Sequence, residues 1–490
     1  MAHFSRRRVC ATLFTGMANM RHLMPKAAMP VSLTPALSRS RARGARTRCA
    51  SLTLIIFLLQ TGSASALGLI QAYEAALKND PTYRAAVYEN EAGQQYKELG
   101  RSSLLPNLSA SYSSGKNNSD ITSPNVFGQK STVQRSYNSM SQSIQLRQPL
   151  LNLEAIARYY QGVAQTGYSD AQFFARRQEL ILRLVGAYAD AKYAEDRLAL
   201  AVVQRDSYAE QRRANDRMFE KGEGTKTDML ETQAKFDLAE AELLEAKDAV
   251  TDARNALAAL VGQEITELDA LRDDFRVKPM LPVGFDEWKV LALEHNPEII
   301  AQRHAVEAAA QDINKNRAGH APRLDVVASV SKSSSETTYT FNQDIKTNSI
   351  GLQLNVPLYA GGYTSALTSQ AVSNHEKAKA DLETKTNQVL IDLRKSYSLV
   401  LSSALRIDAL VKSVSSARLL VEATRKSIKG GVRTNLDVLN AQQQLFAAKR
   451  DLSLARYNYL LGYLRLRQAA GVVDASDLQD VAGYFVAGAQ

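Results

Sequence analysis

The chain has 490 residues, of which 60 are Lys or Arg and 50 are Asp or Glu, so its formal net charge is +10 at pH 7. Ten of the basic residues and none of the acidic ones lie in residues 1–66, which leaves the rest of the chain neutral on balance. The basic excess therefore gives no support to nucleic-acid binding. Both cysteines, Cys10 and Cys49, lie in the same segment.

Residues 1–66 are predicted to be an N-terminal leader that contains a secretory signal peptide. A basic flank precedes a short apolar stretch at residues 51–59, and Ala64-Ser65-Ala66 supplies a small-residue cleavage pattern. The apolar stretch is too short to anchor the chain in a bilayer. Because signal peptides usually have about 15–30 residues, we expect translation to start inside this segment, for example at Met29; an unusually long leader is the alternative. In both cases the exported chain starts near Leu67.

The first predicted repeat covers residues 67–262. Apolar residues recur at helical spacing at its start, and Asn79-Asp80-Pro81 interrupts this helical pattern. Apolar and polar residues then alternate over about 104–115 and about 136–148, which predicts two strands with one apolar face each. The polar stretch between them, residues 116–135, is predicted to be a long loop.

A very long helix follows in this repeat. Residues 154–219 contain no proline, and a helix of that length would extend about 100 Å. Gly222 and Gly224 end it, and either Thr225 or Thr227 caps the helix that returns.

The same order of elements returns in residues 283–471, after an irregular connector at residues 263–282. Strands are predicted at about 321–332 and about 347–357, with a polar loop between them. A second long helix is predicted at residues 363–428, which contain neither Pro nor Gly. The chain then turns and a final helix follows.

Matching positions indicate that the chain contains one unit twice. Asp228 and Asp437 lie 209 positions apart, and so do Gly262 and Gly471. A match of that length without a gap is typical of an internal repeat. The tail, residues 472–490, carries no structural signal that we could interpret.

Four strands per chain are too few to close a transmembrane barrel, because single-chain barrels start at about eight strands. Open sheet edges cannot face lipid, since each unpaired backbone group there costs several kcal/mol. Either the strands are soluble, as in a sandwich with the same alternation, or three chains share one barrel. The long helices favour the second alternative. We therefore predict a mainly α-helical chain with a small β part, whose long antiparallel helices form a trimeric α-barrel and whose four strands join a shared 12-stranded β-barrel.

An ordered set of residues occupies the last turn and helix. It comprises Arg433-Thr434, Asp437-Val438-Leu439, Ala441-Gln442, Leu445, Ala448, Leu452, Ala455-Arg456-Tyr457-Asn458-Tyr459, Leu464 and Ala470-Gly471. This set resembles the TolC family of outer-membrane channel proteins, and Pro106, Pro322 and Pro357-Leu358-Tyr359-Ala360-Gly361-Gly362 fit as well. The resemblance covers residues 67–471 and is greatest to the branch that serves type I secretion.

The resemblance implies a homotrimer in the cell outer membrane that extends into the periplasm. Its barrel would contact outer-membrane lipid. A periplasmic adaptor protein and an inner-membrane pump, either an ABC exporter or a proton-driven pump, would dock at the helical tips. The resemblance implies no catalytic activity and no cofactor.

The resemblance also implies a periplasmic gate at the two helix turns. Arg433 matches an arginine that links to Thr227 and Asp228 of the other turn, and Asp437 matches an aspartate of the constriction. Three copies of Asp437 around one axis would favour cations and would raise the pKa of one another. Asn440 stands where some members have a second ring aspartate.

The family's linking tyrosine is also absent, because Ile428 stands at its position. The ring is therefore expected to be less acidic, and closure is expected to depend more on Arg433. Simpler explanations of these residues stay open. Both aspartates could be first-turn acids favoured by the helix dipole, and Thr227 and Thr434 could be caps. Any tight helix turn needs glycines such as Gly222, Gly224, Gly430 and Gly431.

Signals of catalysis are absent from the sequence. The four histidines after the leader have no metal-ligand spacing, and we expect them to be solvated: His295, His304, His320 and His375. There is no phosphate-binding loop and no nucleophile elbow. We therefore predict no enzyme, no metal and no cofactor.

The predicted function is the exit duct of a type I protein secretion system driven by an ABC transporter. The nearest alternative is the outer-membrane component of a multidrug or small-molecule efflux pump, which uses the same tube. A soluble periplasmic coiled-coil scaffold is the alternative from a different class.

Overall fold

The computed structural model describes residues 67–272, 274–335, 343–429 and 432–486. The predicted leader and the predicted turn glycines Gly430 and Gly431 lie outside these residues. In the described part of the chain, no helix is both long enough and apolar enough to cross a bilayer.

Long helices dominate the structure, as the sequence predicts. The helices are α1 (Leu69–Asn79), α2 (Pro81–Ser102), α3 (Leu153–Glu220), α4 (Lys226–Val261), α5 (Phe285–His295), α6 (Pro297–Arg317), α7 (Tyr363–Lys429), α8 (Asn435–Ala469) and α9 (Ala475–Ala482). The two longest, α3 and α7, have 68 and 67 residues. Each therefore extends about 100 Å.

The short helices that precede the strands in each repeat are broken in the same way. Asp80 caps α2 by accepting hydrogen bonds from the backbone of Thr82 and Tyr83. Asn296 caps α6 through the equivalent N–H groups, those of Glu298 and Ile299. A proline at the first helical position follows each cap, where its missing N–H costs nothing.

The described residues contain six strands, four of which form one antiparallel sheet. The six strands are β1 (Asn107–Pro124), β2 (Lys130–Leu151), β3 (Ala270–Leu271), β4 (Arg323–Ser335), β5 (Gln343–Asn355) and β6 (Phe485–Val486). The main sheet has the order β1-β2-β4-β5, and β3 pairs with β6 separately. The strands at the two edges of the main sheet, β1 and β5, each have one neighbouring strand among the described residues.

The prediction of long polar loops between the strands is wrong. Residues 116–124 and 130–135 pair as strand, with Lys116 opposite Asn138 and Pro124 opposite Lys130. Only a short turn around Asn125 separates β1 from β2. Hydroxyl groups also pair across the strands, as between Thr122 and Thr132 at 2.8 Å. In the second repeat β4 continues to residue 335 and β5 begins at residue 343, and residues 336–342 lie outside the described residues.

The core lies where the short helices pack against the middle of the long ones. Its largest fully buried side chains include Trp288 of α5 and Tyr188 of α3. The tail beyond α8, which the sequence analysis could not interpret, belongs to this core. Asp474 caps α9, and Phe485 of β6 contacts the ring of Tyr188 edge to face at 5.3 Å between centroids.

Candidate functional site

The first turn connects α3 to α4 and is built from backbone hydrogen bonds. Gly222 has a φ of +75°, which favours glycine, and the N–H groups of Glu223 and Gly224 both donate to the carbonyl of Met218. A side chain on Gly224 would meet the backbone nitrogen of Phe219 at 3.0 Å. The predicted glycines therefore serve this turn directly.

Thr225, rather than Thr227, caps α4. The Thr225 hydroxyl accepts a hydrogen bond from the backbone N–H of Asp228 at 3.1 Å and donates to its carboxylate at 2.6 Å. Thr227 is exposed, and its side chain makes no hydrogen bond among the described residues.

The second turn leads from α7 to α8, and Thr434 and Asp437 close it. The carboxylate of Asp437 accepts hydrogen bonds from the backbone N–H and the hydroxyl of Thr434, both at 3.0 Å. A guanidinium nitrogen of Arg433 lies 3.5 Å from the same carboxylate. The two donations from Thr434, and then Arg433, lower the pKa of Asp437 below its ordinary value.

Each turn thus engages its own acidic residue within one chain. Arg433 pairs with Asp437, whereas Asp228 accepts from Thr225, so the predicted link from Arg433 to Thr227 and Asp228 is not made inside the protomer. Asn440 is exposed. The predicted link of Arg433 to Thr227 and Asp228 therefore stays a prediction for neighbouring protomers.

A row of polar contacts fastens α8 along α3, and the sequence analysis missed it. Five side-chain bonds form the row: Gln178 to the carbonyl of Gly471, Tyr457 and Ser453 to Asp196, Gln442 to Ser207, and Gln211 to Asn435. Residue numbers rise along α3 as they fall along α8, so the two helices are antiparallel. The first repeat is therefore bonded to the second near both ends of α8.

The sheet has one aliphatic face. On β5 the side chains of Ile350, Leu352 and Leu354 are 81%, 70% and 63% exposed. Residues of the opposite face are polar, and Ser329 and Ser349 share a hydrogen bond of 2.8 Å there. Such an exposed apolar surface is unusual for a protein in water and marks a contact with lipid or protein.

Among residues 67–272, 274–335, 343–429 and 432–486, no group of three or more His, Cys, Asp or Glu is placed to hold a metal ion.

Comparison with known proteins places the chain in a family. A family model described as outer membrane efflux protein matches it twice, at residues 72–263 and 288–472. The alkaline protease secretion protein AprF of Pseudomonas aeruginosa is 47% identical over 433 residues, which are 88% of this chain and 90% of that protein. The proteases secretion protein PrtF of Dickeya chrysanthemi is 38% identical over 445 residues, 89% of this chain and 95% of that protein.

A solved structure agrees with these matches. The outer membrane protein VceC from Vibrio cholerae aligns with a TM-score of 0.69 at 20% sequence identity, over 82% of this chain and 96% of that one. The chain belongs to the outer membrane efflux protein family. This membership confirms the predicted resemblance to the TolC family, the mainly helical fold with its internal repeat, and the outer-membrane location of an export channel.

Proposed function

We propose that this chain is the outer-membrane exit duct of a type I protein secretion system. The observation that carries the proposal is the similarity to AprF, a protease secretion protein, at 47% identity over 88% of the chain. PrtF, also named for the secretion of proteases, supports it. The partners would be a periplasmic adaptor protein and an inner-membrane ABC exporter.

The duct would be a homotrimer. Among the described residues, the edge strands β1 and β5 each lack one neighbour, and open edges are not tolerated in lipid. Three copies would join edge to edge and supply twelve strands, within the range known for outer-membrane barrels. The exposed aliphatic side chains of β5 would then face outer-membrane lipid, and α3 and α7 would extend about 100 Å into the periplasm.

The gate would lie at the two turns. In the trimer, Arg433 of one protomer would reach Thr227 and Asp228 of its neighbour, and three copies of Asp437 would surround the axis. The Arg433 side chain is 58% exposed, and its ion pair with Asp437 is long at 3.5 Å. Its guanidinium could therefore bind a second partner. An exposed ion pair of this kind contributes about 0–1 kcal/mol, so a docking partner could open the gate.

Secretion in a defined host tests the proposal. The chain would be expressed with a protease cargo, its ABC exporter and its adaptor, in a strain that lacks its own outer-membrane channel protein. We expect protease activity in the culture supernatant that depends on this chain. Cargo retained in the cells, in the presence of all four proteins, would overturn the proposal.

Efflux is the second candidate, because the family model itself is described by efflux. The same host, supplied with a proton-driven pump and its adaptor, would then become resistant to small toxic compounds. Fractionation tests the scaffold alternative, since a soluble scaffold would leave the membrane in a salt wash whereas a barrel would need detergent.

A further inference from the structure

Thr232 of α4 lies at the centre of a polar cluster that joins the two repeats beside the proposed gate. Its side chain is fully buried. Its hydroxyl donates to the carbonyl of Asp228 at 2.7 Å and accepts from the side-chain amides of Asn215 on α3 at 2.6 Å and Asn435 on α8 at 3.2 Å. A hydroxyl has one donor and two acceptor positions. Every hydrogen-bonding position of Thr232 is therefore used.

Asn435 provides the connection from the second repeat. Its amide nitrogen donates to Thr232 on α4, and its amide oxygen accepts from the Nε2 of Gln211 on α3 at 2.7 Å. A side chain at this position must offer both a donor and an acceptor, and an amide does so. Asn435 is also the first residue of α8, two residues after Arg433 and two before Asp437. It therefore fixes the start of the helix that carries both proposed gate residues.

The packing one turn further along α8 reinforces this attachment. Leu439 is fully buried and packs with Tyr208 of α3 and with Ala239 and Phe236 of α4. We call the four hydrogen-bonded side chains the inter-repeat clasp: Gln211, Asn215, Thr232 and Asn435. The clasp lies at the end of α8 that follows the second turn. Moving the first turn of α8 away from α3 and α4 would break both bonds of Asn435 and would leave one acceptor position of the buried Thr232 hydroxyl empty, which is unfavourable.

We propose that the inter-repeat clasp holds the second turn of each protomer against its first turn, and that the clasp must release when the channel opens. Asn435 and Thr232 are thus positioning residues for Arg433 and Asp437. The proposal rests on the proposed function of these turns as a gate. It assigns the connection inside one protomer to Asn435, while Arg433 serves the connection between protomers.

Conductance of the purified protein in planar bilayers tests the clasp. Thr232→Val keeps the shape of the side chain and removes the hydroxyl, whereas Thr232→Ser keeps the hydroxyl. We expect Thr232→Val and Asn435→Ala to raise the ratio of open to closed channels roughly 5- to 30-fold, as the loss of one or two hydrogen bonds would. Thr232→Ser should behave like the wild type.

A matched control lies on the same two helices. Lys235 of α4 donates to Gln443 of α8 at 2.7 Å in an exposed contact outside the clasp. Lys235→Ala should leave the conductance unchanged. A general loosening of α4 from α8 would raise the conductance of Lys235→Ala as well, and that result would overturn the specific role of the clasp.

A reversible crosslink tests release. Both native cysteines lie in the predicted leader, so Thr232→Cys and Asn435→Cys would together supply the two thiols of the exported chain. We expect a disulfide between these two side chains, which lie in direct contact in the wild type, to block both secretion and channel opening, and a reductant to restore both. Each single Cys variant should secrete equally well under oxidising and reducing conditions. Full secretion by the disulfide-bonded protein would overturn the proposal that the clasp releases.

The two proposals fail in different ways. Wild-type protein that forms no channel in the bilayer would contradict the proposed function. Wild-type channels with unchanged conductance in both Thr232→Val and Asn435→Ala would contradict the clasp alone. Helical circular dichroism checks folding of both variants, and Asn435→Ala, at a half-buried position, decides the outcome if Thr232→Val does not fold.

Discussion

Gly471 packs directly against the backbone of Asn296. A Cβ atom on Gly471 would lie 2.5 Å from the Cα of Asn296, and the φ of Gly471 is +78°. The side chain of Asn296 in turn donates to the carbonyl of Ala469 at 2.9 Å. The end of α8 is thus fitted onto the cap of α6.

Gly471→Ala is expected to destabilise the protein. The left-handed backbone alone costs about 1–2 kcal/mol for a residue with a Cβ, and the overlap with Asn296 adds to this cost. Thermal unfolding in detergent, followed by helical circular dichroism and by the fluorescence of Trp288, the only tryptophan, measures the effect.

Gly186→Ala is the matched control for this substitution. Gly186 lies inside α3, and its added Cβ would lie at an ordinary contact distance of 4.0 Å from Leu461. We expect this variant to gain about 0.5–1 kcal/mol. Equal unfolding midpoints for the two variants would show that the contact at Gly471 is unimportant.

Leu352→Arg tests whether the aliphatic face of the sheet meets lipid. A cation on the lipid face near the middle of the bilayer costs about 2–4 kcal/mol. We therefore expect less protein in the urea-washed outer-membrane fraction. Gln353→Arg, on the opposite face of the same strand, should insert normally. The reverse order of the two yields would mean that the aliphatic face is turned away from lipid.

Arg433→Ala and Asp228→Ala are each expected to leak through the closed channel. Each removes one side of the proposed link between neighbouring protomers. Single-channel conductance in a planar bilayer should rise in both. Lys412→Ala, which breaks an exposed ion pair with Asp408 within α7, is the control and should not change it. Wild-type conductance in both gate variants would count against these roles.

The cation preference of the closed channel is expected to depend on pH through Asp437. Hydrogen bonds from Thr434 lower the pKa of Asp437, so its charged form is favoured in the folded protein. The stability that this contributes is present above the ordinary aspartate pKa of about 3.9 and is lost as the pH falls through the lowered value. Reversal potentials measured from pH 7 downward should therefore show a cation preference that persists at about pH 3.9 and decreases at lower pH.

Thr434→Ala isolates the local part of this effect. It removes the hydroxyl donor and keeps the backbone donor, so we expect the loss of cation preference to begin at a higher pH than in the wild type. Mutual repulsion of three Asp437 side chains acts on both proteins in the same direction. Identical titrations would mean that the Thr434 hydroxyl does not influence the charge of Asp437.

Phe485→Ala tests the role of the C-terminal segment. Phe485 is 8% exposed and contacts Tyr188, whereas its neighbour Val486 is 48% exposed. Truncation of a buried Phe costs about 3–5 kcal/mol, so the unfolding midpoint should fall clearly. Val486→Ala should have little effect. Similar midpoints for the two variants would indicate that the tail does not support the core.

The helices could be predicted from the sequence because their limits are local. Gly222 follows the end of α3, and residues 363–428 contain neither Pro nor Gly, so the predicted limits of α3 and α7 differ from the observed ones by only one residue. The full length of the strands could not be predicted in this way. Apart from Ile121, Val133 and Pro124, residues 116–124 and 130–135 are polar or charged, so they show no alternation with a period of two, and their partners across the sheet define them as strand.

Of the contacts around the proposed gate, those between near neighbours in the sequence could be predicted and those between distant residues could not. Thr434 and Asp437 lie three residues apart, so a cap formed by them could be anticipated. Asn435 and Gln211 are 224 residues apart and meet only because α8 lies along α3. No spacing rule within a single helix indicates such a pair.

The antiparallel row of contacts between α3 and α8 has a consequence for the origin of the chain. The two halves are similar in sequence, yet neither is self-sufficient, because each covers a surface of the other. A gene encoding the first half alone would produce a protein in which residues 178–211 of α3 meet water where α8 should lie. Duplication and fusion would therefore have been followed by mutual specialisation, after which the halves could no longer be exchanged.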